Sequence, residues 1–368
     1  MKRHAYRPQS AQAFRRLLSP FLALTIAAAF ALPAGSALAA YTFSYNSATH
    51  VATAAGTAAV DNLQLVALGG LVFHSVNGGS FDSNWGGLTV PAAITETINV
   101  NLSTGNGSSI WLGNDFLPAS VLFAAINVVA TANTADTTVI DDSANPKAVT
   151  YVIDTLPGFI TAPGINYRQN SSQAFQGGVI LKGGSAGNTF NVLSVCCGGS
   201  TQEPVSLYGG GGNDTFIIPA SNVNSPFPLL DGGGGTNTID MTAALAQPSV
   251  RTVDLAAGTI TELPSGGSSR VIARSFGNID VFKGNGQVDI LRGPDATNTW
   301  VINGITAGSL TGGLSFSGFP NIVGGIGVDT FTVIPSPTTT ITISGGPLSG
   351  SDSLTIILSA SGEVFCSL

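Results

Sequence analysis

The densest group of side chains able to do chemistry lies between Asp280 and Asp295, where Asp280, Asp289 and Asp295 stand close to Lys283 and Arg292. Cleavage of a polysaccharide by hydrolysis or elimination needs carboxylates, or an Arg or Lys base, held together on one face. The same five residues also read as solvated charges at turns, and that plainer reading is favoured. His50 and His74 fall far from this patch in sequence, and no Ser-His-Asp order stands out. His74, in Leu-Val-Phe-His-Ser-Val, reads as a strand residue rather than a base. Aromatic side chains suited to stacking on sugars are few: Trp85, Trp111 and Trp300. A Thr row at Thr338-Thr-Thr-Ile-Thr-Ile is a second surface able to contact carbohydrate, and it lacks the regular spacing that ice binding requires. Cys196 and Cys197 are adjacent, and Cys366 is distant. Without a second Cys or His cluster these three make a poor metal site and read as small loop residues.

These side chains must be positioned by elements that the chain announces through repetition. Leu207-Tyr-Gly-Gly-Gly-Gly-Asn-Asp214-Thr-Phe-Ile-Ile218 reads as strand, glycine turn, Asn-Asp corner and strand. Variants run over 181–192, 230–240 and 323–333, with a looser copy from Gly345 to Leu354. The first glycines at 183, 209 and 232 lie 26 and 23 residues apart, and those at 324 and 345 lie 21 apart. A period of this length marks a solenoid or array rather than one compact core. Alternation dominates between the turns, as in Thr97-Ile-Asn-Val-Asn-Leu102, Thr340-Ile-Thr-Ile343 and Leu354-Thr-Ile-Ile-Leu358. Residues 119–132 could form a short helix, but Val128, Val129 and the following Thr residues favour a buried strand. The expected fold is therefore all-β. It is a right-handed parallel β-helix (β-solenoid) with three strands per coil, Leu207, Phe216 and Ile218 pointing inward, and an irregular N-terminal section. A β-sandwich array is the structural alternative.

Several stretches resemble the repeat regions of large secreted bacterial proteins of adhesin-like and hemolysin-type (RTX-like) character. One runs from Asp141-Asp142-Ser143 through Ile165-Asn-Tyr167 to Gly187-Asn-Thr-Phe-Asn-Val192; a second runs from Leu230 to Asp280; a third starts at Asn298-Thr-Trp-Val-Ile and leads into Gly324-Gly325. The likeness covers about 136–358, most of the chain. It carries architecture more than activity, because such modules are scaffolds with varied cargo. Gly209-Gly-Gly-Gly-Asn-Asp214-Thr-Phe216-Ile and Gly324-Gly-Ile-Gly-Val-Asp329-Thr-Phe331-Thr match the nonapeptide that holds calcium in that family. The resemblance implies a calcium site at Asp214, Asn237 and Asp329, built from turn carbonyls and carboxylates that supply six or more oxygens. Against it, the phrases are single rather than in tandem, and Asn237 and Asn188 stand where Asp is expected.

Residues 1–39 look like an export signal: Lys2, Arg3, Arg7, Arg15 and Arg16 precede an apolar run from Leu17 to Leu32, and Ala37-Leu38-Ala39 fits a cleavage site. The apolar run is too short for a membrane anchor. Arg15-Arg16 lacks the flanking residues of a twin-arginine signal. Without 1–39, five of 13 basic residues go, leaving eight against 20 acidic ones, a net charge of −12. Such a surface disfavours nucleic acid and anionic lipid, and no later segment reads as a membrane span. The sequence thus divides into a signal (1–39), an N-terminal β section or cap (40–135) and glycine-rich solenoid repeats (136–368). No C-terminal cap is recognisable, which leaves a cryptic cap or a longer array. The expected function is an exported structural or adhesive protein of the bacterial surface or medium, without catalysis and with cell-surface glycans or other surface proteins as partners. A calcium-binding repeat protein and a β-helix polysaccharide lyase or hydrolase are the alternatives.

Overall fold

Alternation places one side chain in two against the interior, and the chain is built on that rule. The strand Val205–Tyr208 buries Val205 and Leu207, and Thr189–Ser194 buries Phe190, Val192 and Ser194. These strands belong to a computed structural model that describes residues 41–57, 60, 62–102, 107–129, 136–155, 158–169, 177–195, 204–218, 226–243, 249–334, 341–347 and 351–356. The expected signal peptide, the three cysteines, Thr338–Thr340 and the last twelve residues lie outside the described residues.

The described residues hold strands and one three-residue 3-10 turn, Ala119–Val121, and no α-helix. The ambiguous stretch thus resolves into that turn followed by the strand Ala125–Val129. Strands gather into a 16-stranded, a nine-stranded and a six-stranded sheet. Through the glycine-rich body the chain alternates between two of them. Gly178–Lys182, Val205–Tyr208 and Leu230–Asp231 lie in the nine-stranded sheet, and Thr189–Ser194, Thr215–Ile217 and Thr238–Asp240 in the 16-stranded one. Beyond Ile290 the six-stranded sheet takes the second role, through Ile290–Arg292, Asn321–Val323 and Thr342–Ser344. Equivalent strands pair in parallel and in register: Thr189, Thr215 and Thr238 align, as do Phe190, Phe216 and Ile239. The fold is a parallel β-solenoid. Across 230–292 the chain visits all three sheets in succession, through Leu230–Asp231, Thr238–Asp240 and Ser249–Asp254 and then Phe276–Gly277, Val281–Lys283 and Ile290–Arg292, the three strands per coil expected from the period; in the coils before and after, the described residues show two.

The interior is one continuous stack. Tyr151, Phe190 and Phe216 follow one another from coil to coil with ring centroids 5.1 and 4.9 Å apart. Their rings face each other because parallel pairing puts the same position of each coil a single strand spacing, about 4.8 Å, from the next. Leu207, Phe216 and Ile218 are fully buried, as alternation requires.

The coils extend back through the N-terminal section. Val51–Ala55 pairs in parallel with Thr97–Asn101, and this with Ala125–Val129. On the other side Asn62–Leu68 pairs with Ser109–Leu112 and this with Thr137–Asp141. The described residues of 41–129 are therefore a β section in the same sheets, with irregular parts at the start, in the antiparallel strands of 62–91 and at the 3-10 turn Ala119–Val121. At the start Thr42–Asn46 folds back antiparallel on Val51–Ala55, and Phe43 stacks on His74 at 3.5 Å beside Trp85. Antiparallel meanders interrupt the coils at 62–91, 150–169, 249–273 and 298–317, and strands such as Asn62–Leu68, Thr150–Asp154, Ser249–Asp254 and Asn298–Gly304 keep the parallel pairing. No helix among the described residues is long and apolar enough to cross a membrane.

Candidate functional site

The corners carry the conspicuous Asn and Asp residues, and their geometry follows from a backbone problem. A tight turn stacked on another turn buries N–H groups that no strand partner can reach, and each needs an acceptor. The side chain one coil further on supplies it. Asn188 Oδ1 accepts from the Val149 N–H at 3.2 Å and Asp214 Oδ1 from the Asn188 N–H at 2.6 Å. Asn237 Oδ1 accepts from the Asp214 N–H at 2.9 Å and Asp280 Oδ2 from the Asn237 N–H at 2.8 Å. Asp352 does the same for the Asp329 N–H at 2.9 Å, and Asp136 for the Ser108 N–H at 2.7 Å. The result is a polar spine along one edge of the interior. Stacking this close also demands glycine. Gly233 has φ +74°, and a Cβ there would meet the Gly210 carbonyl oxygen at 2.1 Å.

The asparagines use their second atom too. Asn188 Nδ2 donates to the Gly209 carbonyl at 3.0 Å, and Asn237 Nδ2 to the Asn278 carbonyl at 2.9 Å. Asp214 sits between them in the spine, fully buried, with an oxygen, Oδ2, where they have an N–H. That oxygen has no hydrogen-bond partner. The corresponding acceptor is the Gly232 carbonyl: it and Asp214 Oδ2 both lie 2.5 Å from the point where a side chain on Gly209 would begin. Burial pushes the Asp214 carboxyl up to about 6, opposed by its bonds from Asn188.

The three residues proposed to hold calcium do not gather as a calcium site. Asp214 and Asn237 are successive members of the spine. Asp329 lies elsewhere, its Oδ1 accepting from Asn298 Nδ2 at 2.8 Å and Trp300 Nε1 at 3.2 Å, and its Oδ2 from the Gly325 N–H at 2.9 Å. The Asp329 oxygens, each facing N–H donors, suit those donors rather than a cation needing six or more oxygen ligands. Among the described residues no three His, Cys, Asp or Glu side chains form a group able to hold a metal.

The charged patch near 280–295 likewise disperses, because closeness in sequence is not closeness across a coil. Asp280 belongs to the spine. Asp289 is fully buried, accepting from the Arg251 N–H at 3.2 Å and the Asn285 N–H at 2.8 Å, and burial raises its pKa. Lys283 lies 3.7 Å from Asp240, while Arg292 bridges Asp254 at 2.8 Å and Asp295 at 2.5 Å. Sequence reasoning missed the buried ion cluster beside Asp289. Arg251 is fully buried, 3.8 Å from Glu262, which also pairs with Arg270 at 3.1 Å. The signal was present: Arg251 shares the parity of inward Val253, and Glu262 that of inward Ile260.

His50 pairs with buried Glu96 at 2.9 Å, and His74 is a buried strand residue whose pKa burial lowers. Of the three tryptophans proposed for sugar stacking, Trp85 and Trp300 are fully buried in the core. Trp111 alone of the three faces outward, 36% exposed, on the strand Ser109–Leu112. It borders an open groove of about 670 Å³ on the outer face of the nine-stranded sheet, with Gln64, Asn114, Asp115, Asp141 and Lys182.

Comparison with protein-family models gave no match to this chain, and comparison with curated proteins gave none.

Proposed function

We propose that the protein is an exported structural or adhesive β-solenoid of the bacterial surface or medium that works by contact and not by catalysis. The observation that carries this reading is the use made of the acidic turn residues. Asp214, Asp280, Asp289 and Asp329 all accept hydrogen bonds inside the coil stack, so the groups that first suggest chemistry serve to hold coils together. Two further features support it: the export-type segment at 1–39 and the likeness of 136–358 to secreted repeat modules. An extended stack offers long outer faces, and function on such a scaffold resides in what those faces display.

The test uses residues 40–368, fluorescently labelled and applied to bacterial and host cells, alongside assays for sugar release from a set of polysaccharides. Saturable adhesion without turnover is expected. Release of unsaturated sugars, abolished by Asp289→Asn or Lys283→Ala, would overturn the reading in favour of a lyase.

A further inference from the structure

We infer that the outer groove at Trp111 is a binding site for neutral carbohydrate. This deepens the adhesive reading proposed above by naming what one face of the solenoid would hold.

The argument begins with an indole that alternation sends to solvent. Trp111 lies between Leu112 and Ile110, both buried, and its cross-strand partners are Gln64 on one side and Val139 on the other. A large aromatic on an outer sheet face loses water only when something covers it. Here Lys182 Nζ sits 5.3 Å from the ring centroid and 2.8 Å from Asp141 Oδ2. That cation takes up one face of the ring and still leaves the indole 36% exposed, so a ligand would stack on the remaining surface.

The polar rim then selects the ligand. Gln64 lines the groove, and its Nε2 donates to the Gly113 carbonyl at 3.0 Å, which orients the amide. Asn114 Oδ1 accepts from the Phe116 and Leu117 N–H groups at 2.9 and 2.8 Å, leaving its Nδ2 as a donor. Asp115, exposed at the rim, adds a carboxylate acceptor, whereas Asp141 is buried with Oδ1 taken by Ser143 and Oδ2 by Lys182. Directly after Asp115 stands Phe116, 80% exposed. An aromatic platform bordered by the oriented amides of Gln64 and Asn114 and the carboxylate of Asp115 matches a molecule with C–H groups on its faces and hydroxyls around its edge, which is a pyranose. With Asp115 and Asp141 against Lys182, the groove keeps a net negative charge, and the whole chain is acidic. Anionic sugars and phosphates are therefore disfavoured. The volume falls within the range of small-ligand sites, about 300–1,000 Å³.

The experiment reads Trp111 directly. Trp85 and Trp300 are fully buried, so emission that acrylamide can quench belongs to Trp111. Residues 40–368 are titrated with cellulose-, chitin- and mannan-derived oligosaccharides, with pectate fragments as the acidic control and a mixed-sequence peptide pool as the protein-like one. The expected result is a saturable emission change and protection from acrylamide with at least one neutral oligosaccharide. Trp111→Ala should weaken that binding at least about tenfold, with an unchanged melting temperature, and Gln64→Ala should weaken it less. The inference is overturned if no neutral oligosaccharide in the millimolar range perturbs Trp111, if pectate fragments or peptides bind instead, or if sugar binding survives in Trp111→Ala. The cell assay separates the two proposals. Adhesion unchanged in Trp111→Ala removes the groove and leaves the adhesive reading standing. A wild-type protein that binds oligosaccharide but no cell keeps the groove and removes that reading.

Discussion

Asp214 Oδ1 accepts the backbone N–H of Asn188, 26 positions earlier, at 2.6 Å. That bond needs only one oxygen, and an asparagine would make it equally well, as Asn188 and Asn237 do for their own predecessors. The second oxygen is then an excess acceptor in a dry interior, and burial answers by raising its proton affinity. The folded carboxyl titrates at about 6 against an ordinary 3.8. Its proton is therefore bound more tightly in the folded state. The stabilisation this gives is complete below the ordinary value and is lost as pH rises through about 6.

Asp214→Asn should consequently stabilise the protein at neutral pH. Its Nδ2 would donate to the Gly232 carbonyl as its neighbours donate to theirs. A gain of about 1–3 kcal/mol is expected, read from urea unfolding at neutral pH. The variant should also lose the fall in stability that the wild type shows between about pH 4 and pH 6. An equal slope in both proteins would show that Asp214 is not the titrating group.

Calcium should leave the melt unchanged. Thermal unfolding of residues 40–368 followed by circular dichroism is expected to coincide in excess chelator and in millimolar calcium. A melting point that climbs steeply with calcium would place an ion in the native state, and the loss of that rise in Asp214→Asn or Asp329→Asn would locate it.

The Arg251–Glu262 pair makes a different demand. Glu262→Gln leaves a fully buried guanidinium with less compensating charge and should cost about 3–5 kcal/mol in urea unfolding. Replacing both partners by apolar residues, Arg251→Met with Glu262→Leu, should recover most of that loss. Equal losses in the single and the double variant would mean that the residues do not act as a pair.

Two glycines separate backbone conformation from coil stacking. Gly266 has φ +72° with open space where a Cβ would stand, whereas Gly233 has φ +74° with the Gly210 oxygen 2.1 Å from that point. Gly266→Ala should cost about 1 kcal/mol through its left-handed backbone. Gly233→Ala should cost several times more, because two coils must separate. Similar melting temperatures for the two variants would show that the turns are not in contact.

Much of the fold was legible because it depends on local rules. Alternation located Leu207, Phe216 and Ile218 in the interior, and the glycine phrases marked the corners. Three strands per coil were legible where Leu230–Asp231, Thr238–Asp240 and Ser249–Asp254 fall in three sheets; where the described strands drop to two per coil was not, since a period measures the length of a turn and not where it bends. The antiparallel meanders, such as Thr150–Asp154 with Phe159–Ala162 and Ile165–Gln169, hide for a related reason: each strand looks like any other, and only pairing shows its direction. Site reasoning failed where charge outweighed parity. Asp289 and Lys283 suggested one surface patch, but alternation turns Asp289 inward and Lys283 outward. Arg251 was passed over because a lone arginine in a strand suggests solvent, although its parity with Val253 points to the core.

The spine has a polarity that reaches beyond its hydrogen bonds. In the chain Asn188, Asp214, Asn237, Asp280 each side-chain acceptor serves the coil before it, so those donors are satisfied only once the next coil has arrived. Trimming coils from the C-terminal side strands the donors that the spine's side chains had served, while trimming from the N-terminal side strands ladder donors instead, such as the Thr215 and Thr238 N–H groups that bond to the Asn188 and Asp214 carbonyls. A chain that leaves a cell N-terminus first would therefore always have one unfinished turn at its growing end, waiting for the next to emerge. Construction would advance like masonry, each course locked by the one laid on it.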